Sequence, residues 1–346
     1  MSIDNYKATD TYVVFAEDTA WGTPGNPAGT DFIDKVTAIS TTVKNNRTRD
    51  NAIGEGPNAK TTTNGVVEIS GVITSMLTNA AFFQYLVNGV VVANTGAQGD
   101  PSDVNEANAF GYGAADCPSL TIEYGNDGTV DDVITLDGVF FTNWNLSVKI
   151  PGPVVWTGTY RARNITRTAS GALTYTPTTE EPLTFVDAAV TFGSDTVVRV
   201  ASFDVTGANN HKIDPELGGR LISQPTMGTR RYNWTMVVKH TADTTGSKLS
   251  GVELRELLFG AAASATPETG GIPTPCGDIT LTLTEGAVAG DETIKVQFDD
   301  CYIEEIDQPI EMSDTGGSIF LTVRGYALSG LTNGANKTIV EYYTYA

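Results

Sequence analysis

The sequence predicts a mainly β protein made of two tandem β-sandwich or half-barrel domains, each flanked by one α-helix. Gly, Thr and Asn are abundant, whereas long apolar stretches at helical spacing are scarce, which is typical of many short strands joined by turns. Apolar and polar residues alternate in many segments, as expected for strands that bury one face. The order of these segments in the first half of the chain recurs in the second.

The clearest sign of the repeat is a Cys followed by an alternating strand, which occurs twice. CPSLTIEY begins at Cys117 and CGDITLTL begins at Cys276, a spacing of 159 residues (276 − 117). Leu136 and Phe298, in the long strand that follows each of these segments, are 162 residues apart (298 − 136). We therefore interpret the chain as an internal duplication.

Each half begins with an alternating strand, DKVTAISTTV (34–43) in the first and VRVASFDV (198–205) in the second. A long polar stretch follows in each half, at 44–64 and 206–230, and returns into GVVEISGVITS or RYNWTMVVKH, which alternate again. We expect each polar stretch to be a loop between two antiparallel strands. Loops of this length are usually functional, and we expect a neighbouring molecule to order them.

One helix is predicted in each half, at TNAAFFQYLVNG and at SKLSGVELRELLFG. Ser250 and Glu253 form a capping box in the second, and each segment ends in Gly, which is favoured at helix C-termini. Each half then continues with a Gly- and Ala-rich loop, a strand, an acidic turn and two further strands. The predicted divisions are an N-terminal arm (1–30), a first domain (31–168), a Thr- and Pro-rich linker (169–190) and a second domain with a C-terminal arm (191–346).

The net charge of −20 argues against a surface that binds nucleic acid or an anionic membrane, because such a surface would repel phosphate groups. The N-terminus shows no basic and apolar leader pattern, and no apolar run is long enough to span a bilayer. The three Cys residues include no CxxC pair, which indicates buried thiols rather than disulfides.

Motifs for catalysis, metal binding or cofactor binding are missing from the sequence. The two His residues, His211 and His240, have no partner at metal spacing, and no hydrolase, phosphate-binding or dinucleotide motif occurs. The acidic stretch GNDGTVDD could suggest a calcium loop, but it lacks the EF-hand order, and Asn-Asp-Gly between strands favours a hairpin. We predict no enzyme activity, no cofactor and no metal.

A second acidic stretch, DDCYIEEIDQ, places Asp299, Glu304 and Asp307 where one face of a strand could present them together. This pattern fits an ordinary solvated strand face. It also fits an acidic wall that faces a molecule which must not adhere to it.

The stretches TYVVFAEDTAWGTPG (11–25) and GVVEISGVITSMLTNAAFFQYLVNG (65–89) resemble the tail tube proteins, or major tail proteins, of phages and archaeal viruses. The shared features are an acidic residue shortly before Trp-Gly-Thr and Pro, and a strand that leads into an apolar helix ending in Gly. The resemblance covers most of residues 11–165 and, more faintly, 196–328. Most members of that family carry one tube domain, whereas this chain is interpreted as having two.

The resemblance implies a structural subunit of the virion tail. Related subunits form six-domain rings whose inner strands join into one β-barrel, so two domains per chain imply trimeric, pseudo-hexameric rings. The implied partners are further copies of the chain, a tape-measure protein and, transiently, viral DNA in an acidic lumen; no membrane is involved. The candidate lumen-facing acids are Glu68, Asp137, Asp299, Glu304 and Asp307. The candidate inter-ring or inter-subunit loop residues are Arg47, Arg49, Asp50, Glu55, His211, Asp214, Glu216 and Arg220.

Two other functions fit parts of the pattern. A tandem β-sandwich adhesin or receptor-binding protein of a tail tip would expose aromatic clusters on loops, yet Trp144, Trp156 and Trp234 lie in strand patterns. A cell-wall hydrolase would need paired carboxylates in a cleft, for which Glu304 and Asp307 are the only candidates.

Overall fold

The structure is a computed structural model that describes residues 11–33, 35–50, 61–78, 82–87, 90–93, 102–105, 119–126, 132–168, 173, 181–193, 195–197, 199–213, 219–226, 228–240, 248–249, 251–259, 277–284, 292–307, 319–327 and 338–344. These ranges hold eighteen strands and two α-helices, so the mainly β class predicted from the sequence is confirmed.

The elements follow one another in this order: β1 (Thr11–Glu17), β2 (Lys35–Asp50), β3 (Thr61–Met76), α1 (Phe83–Val87), β4 (Val90–Ala93), β5 (Ser102–Asn105), β6 (Leu120–Asn126), β7 (Asp132–Lys149), β8 (Val155–Ala162), β9 (Asn164–Thr168), a 3-10 turn (Phe185–Asp187), β10 (Ala188–Phe192), β11 (Asp195–Val197), β12 (Val200–Ala208), β13 (Arg231–Lys239), β14 (Lys248–Leu249), α2 (Gly251–Phe259), β15 (Gly277–Thr284), β16 (Glu292–Asp307), β17 (Phe320–Ala327) and β18 (Thr338–Thr344).

In the first half, the 18-residue strand β7 takes part in two sheets. Its N-terminal part pairs with β6 and β9, and β1 adds to β6. Its C-terminal part pairs with β8, which is followed by β3 and β2. The register shifts between Leu120 and Ile122 on the β6 side and between Phe141 and Asn143 on the β8 side. Such bulges bend a strand and increase its twist, which lets one strand serve both sheets.

In the second half, β16 pairs in the same order. Its N-terminal part pairs with β15 and β18, and β10 adds to β15. Its C-terminal part pairs with β17, which is followed by β13 and β12. The register again shifts on both sides, between Gly277 and Ile279 and between Ile303 and Glu305. The pairing between β6 and β7 across Asn126 and Asp132 forms the hairpin predicted for GNDGTVDD.

The two halves are joined by antiparallel pairing of β7 with β12, in which Trp144 lies opposite Gly207, and by a shorter antiparallel pairing of β18 with β5. The result is one eight-stranded antiparallel sheet with the order β2-β3-β8-β7-β12-β13-β17-β16. One face of this sheet is packed against a continuous hydrophobic core that includes residues of both halves. Its other face is not covered by any other described strand or helix.

Large aromatic side chains fill this core. Trp144, Trp156 and Trp234 are each at most 2% exposed. The short helix α1 packs against β7, where the rings of Phe83 and Trp144 meet edge to face at 5.7 Å. Aromatic pairs with this geometry add to the stabilisation that comes from burial.

The polar stretch 44–64 differs from its prediction. Residues 44–50 and 61–64 belong to β2 and β3, which pair from Lys35 and Met76 out to Asp50 and Thr61. The prediction of a loop was therefore wrong for these residues. Strand residues that face water on both sides need no alternation of apolar and polar residues. Alternation therefore does not predict this extension of β2 and β3.

Candidate assembly surface

The eight-stranded sheet has two open edges. Among the described residues, β2 forms a ladder only with β3, and residues 302–307 of β16 form one only with β17. An edge strand presents unpaired backbone N–H and C=O groups, which another strand can bind. The two edges lie at opposite ends of the strand order.

The in-chain junction between β7 and β12 shows how two such edges join in this fold. The ladder runs from Asn143 opposite Ala208 to Lys149 opposite Ser202. Two polar contacts cross it: Asn145 Nδ2 donates to the backbone O of Val205 at 3.1 Å, and Lys149 Nζ lies 3.3 Å from Asp204 Oδ1. The lysine is mostly exposed, so this ion pair contributes little and the ladder carries the junction.

Asn209 lies at the Asn143–Ala208 end of this ladder and forms its last hydrogen bonds to the first half. Its side chain is 1% exposed, and its backbone N donates to the O of Thr142 at 2.8 Å. Its carboxamide Nδ2 donates to the O of Phe141 at 2.8 Å and to the O of Leu86, in α1, at 2.9 Å. One side chain thereby satisfies carbonyls of the β7 bulge and of a helix, and it fixes the second half against the first.

The segment after Asn209 packs on the first half. The ring of His211 lies edge to face on Phe140 at 5.0 Å, and Ile222 packs on the same phenylalanine. Burial, and secondarily the positive charge of Arg230, lower the pKa of His211 to about 4. A neutral imidazole is therefore part of this contact at neutral pH.

Arg220 contacts the β2–β3 hairpin. Its backbone O accepts from Val67 N at 2.8 Å, and its guanidinium donates to the O of Gly65 at 3.2 Å (Nε) and to Asn45 Oδ1 at 2.9 Å (Nη2). His211 and Arg220, predicted as inter-subunit loop residues, thus contact the first half of their own chain.

The other candidate loop residues are less informative. Arg47 is exposed near the end of β2, and Arg49 and Asp50 belong to the same strand. The side chains of Arg49 and Asp50, and all of Glu55, Asp214 and Glu216, lie outside the described residues.

The predicted lumen acids do not share one place. Glu68 and Asp307 are exposed on the open face of the eight-stranded sheet, and Glu304 is exposed at the β16 bulge. Asp137 lies in the other part of β7, where its Oδ2 accepts from Asn164 at 3.1 Å. Asp299 belongs to β16, and its side chain lies outside the described residues.

The open face of the eight-stranded sheet is polar but not uniformly acidic. Thr, Ser and Asn are its commonest residues, and three of its cations lie close to acids: Lys44 is opposite Glu68, Lys149 pairs with Asp204, and Arg324 Nη1 is 2.8 Å from Glu305 Oε2. The charged residues of this face with described side chains include Lys35, Lys44, Glu68, Lys149, Arg161, Asp204, Arg231, Lys239, Glu305, Asp307 and Arg324.

Sequence reasoning missed three residues at the edges: Lys44, Asn45 and Glu305. A signal was present, because the pair Asn-Asn occurs in KNNR and again in ANNH, at matching places in the two halves. Both pairs lie in the polar stretches predicted as loops, and the strand partners of these residues are far away in the chain.

These features define a mainly β protein whose largest sheet has two open edges. Among the described residues, no group of His, Cys, Asp or Glu is arranged to hold a metal ion, and neither described helix is long and apolar enough to cross a membrane. The family model described as phage tail tube protein matches residues 8–299, and the chain belongs to this family. A comparison with curated proteins found no match. The protein is therefore a structural tail tube subunit of a virion tail, whose partners include further copies of itself.

Proposed function

We propose that three copies of this chain close into a pseudo-hexameric ring and that stacked rings form the conduit for the viral genome. The observation that carries this proposal is the β7–β12 junction. Strands β12 and β2 hold the same place in the pairing order of their halves, and so do β7 and β16. A ladder formed between β16 of one copy and β2 of the next would repeat the in-chain junction.

The registers of the two halves fix which residues would meet. Val43 opposite Ile69 corresponds to Gly207 opposite Tyr232, and the bulge at 303–305 corresponds to the bulge at 141–143. Transferring the in-chain register then places Val43 of one copy opposite Ile306 of the next.

Both residues at this position suit the contact. Val43 is on the core-facing side of β2 but is 45% exposed, because the sheet ends there. The neighbouring pair brings Lys44 opposite Glu305, which have opposite charges. Apolar complementarity, charge complementarity and unpaired backbone groups all favour a second copy as the partner.

Ring closure requires every junction to be alike. Each chain contributes one in-chain junction and one intermolecular junction, so two domains per chain in a six-domain ring give three chains. We propose that residues 31–168 and 191–346 are the two tube domains, that 169–190 connects them, and that the two terminal arms and the outer loops contact neighbouring rings.

The open face of the sheet would line the channel. Its many neutral polar side chains, and the acids beside Lys44, Lys149 and Arg324, limit the counterion release that drives phosphate binding. Glu68, Glu304 and Asp307 would add repulsion at the wall. A tape-measure protein would occupy the lumen before the genome passes.

The adhesin hypothesis finds less support, since Trp144, Trp156 and Trp234 are buried. Negative-stain microscopy and analytical ultracentrifugation of the purified chain test the proposal. We expect rings and tubes whose abundance rises with protein concentration. Compact monomers at every concentration and salt would overturn it.

A further inference from the structure

We infer that Asn45 is the residue that locks one subunit onto the next, by donating its carboxamide to backbone carbonyls at the β16 bulge and the last turn of α2 in a second copy. The inference deepens the proposed ring and rests on it. It assigns an interaction to a residue that is exposed in the single chain.

The first support is the equivalence of Asn45 with Asn209. Each is the first residue of an Asn-Asn pair: Asn45 lies at the register shift within β2, and Asn209 directly follows β12. In both halves, the carbonyl O of the second Asn packs so closely on a glycine that no larger residue fits there. A Cβ on Gly65 would lie 2.0 Å from the O of Asn46, and a Cβ on Gly228 would lie 2.0 Å from the O of Asn210. The close contact with a glycine is therefore shared by both places, although Asn210 has a positive φ of 47° and Asn46 lies within β2.

The second support is the equivalence of the receiving sites. Asn209 binds at the bulge between Phe141 and Asn143, and β16 has its bulge at the same place, between Ile303 and Glu305. Helix α1 packs against β7 and helix α2 against β16. A second bulge with a helix beside it thus exists, and no described residue in the chain plays the part of Asn209 there.

The third support is the state of Asn45 in the single chain. Its Oδ1 accepts from Arg220 Nη2 at 2.9 Å, which orients the carboxamide. Its Nδ2 donates to no acceptor among the described residues. A carboxamide that is held in one orientation at an open sheet edge can donate its remaining hydrogens to the backbone carbonyls that a bulge leaves unpaired.

The matching residue pair allows a controlled experiment. We expect Asn45→Ala to lower the melting temperature of the monomer only slightly, because it loses one exposed hydrogen bond from Arg220, and to raise the protein concentration needed for assembly by about tenfold or more, since two backbone carbonyls lose their donor. Asn209→Ala should lower the melting temperature of the monomer, because the same bonds lie within one chain. Asn45→Asp, which keeps the size but loses the donor, should act like Asn45→Ala.

The outcomes separate this inference from the proposed ring. Assembly of Asn45→Ala and Asn45→Asp at the wild-type concentration would overturn the role of Asn45 and leave the ring intact. Failure of the wild-type chain to assemble would overturn the ring itself, and the inference with it. A melting temperature of the Asn45→Asp monomer that falls as far as that of Asn209→Ala would also contradict the inference, because Asp keeps the acceptor for Arg220 and loses only the donor.

Discussion

At the scale of single residues, each half packs an aromatic ring on a glycine of the neighbouring strand, but the ring and the glycine lie on opposite strands in the two halves. Gly71 lies opposite Tyr160, and a Cβ there would come within 2.4 Å of the tyrosine ring. In the second half, Trp234 lies opposite Gly325, and a Cβ on that glycine would come within 2.4 Å of the indole ring. A large aromatic residue and a glycine have exchanged strands, so that a glycine makes room for a ring in each half. An exchange of this kind removes identity at both positions while the packing is kept.

His211 should make the stability of the chain depend on pH. Its pKa is lowered to about 4 in the folded state, whereas an exposed histidine has a pKa near 6.5. The unfolded state therefore binds more protons between these values, so stability is fully present above about pH 6.5 and falls as pH drops towards 4. The loss is at most about 3 kcal/mol, because part of the ring remains accessible to water.

Thermal unfolding between pH 4 and 7 measures this effect. We expect His211→Gln to flatten the decrease of stability over that interval, and we expect His240→Gln, which does not contact Phe140, to retain it. An unchanged slope in His211→Gln would show that other groups titrate instead.

At the scale of elements, alternation predicted the strands with one buried face. It predicted RYNWTMVVKH as a strand with Tyr232 and Trp234 on one face, and β13 buries both. It did not predict the ends of β2 and β3, which extend into water, or the pairing of β7 with β12. That pairing joins segments far apart in sequence, and the residues of neither segment indicate which strand it pairs with.

The orientation of the edge of β16 gives a prediction at this scale. In the in-chain junction, Thr142 O and Ile150 N bond to β12, so every second residue of β7, including Trp144, directs its backbone groups there. The equivalent Ile306 would then direct its N–H to the next copy. Proline is tolerated on an edge strand where its missing N–H would have faced outward.

We therefore expect Ile306→Pro to fold with a melting temperature close to that of the wild type, to remain monomeric in sedimentation and to form no tubes. Asp307→Pro is the matched control, because its N–H would face β17 within the chain, and it should lower the melting temperature. Tubes formed by Ile306→Pro at the wild-type concentration would place the intermolecular ladder elsewhere.

At the scale of the whole molecule, the proposed assembly depends on one strand junction that is repeated around the ring. The eight-stranded sheet supplies the in-chain example, and its two open edges are the parts left for a second copy. The tail tube family could be recognised from sequence patterns, whereas the identity of the joining strands could not. The edges become visible only once the strand order is known.

The most direct test is a disulfide across the proposed intermolecular ladder. Lys44 and Glu305 would occupy a non-hydrogen-bonded antiparallel position, where Cα atoms approach to about 4.5 Å and a disulfide can form. Asn143→Cys with Ala208→Cys, at the equivalent in-chain position, is the positive control and should form a disulfide within one chain. Each single Cys variant at 44 or 305 is a negative control.

Mild oxidation of assembled Lys44→Cys/Glu305→Cys protein, followed by denaturing electrophoresis without reductant, provides the measurement. The account predicts covalent species that end at the trimer, because three intermolecular junctions close one ring. Assembled protein that stays monomeric on the gel, while the in-chain control forms its disulfide, would contradict it.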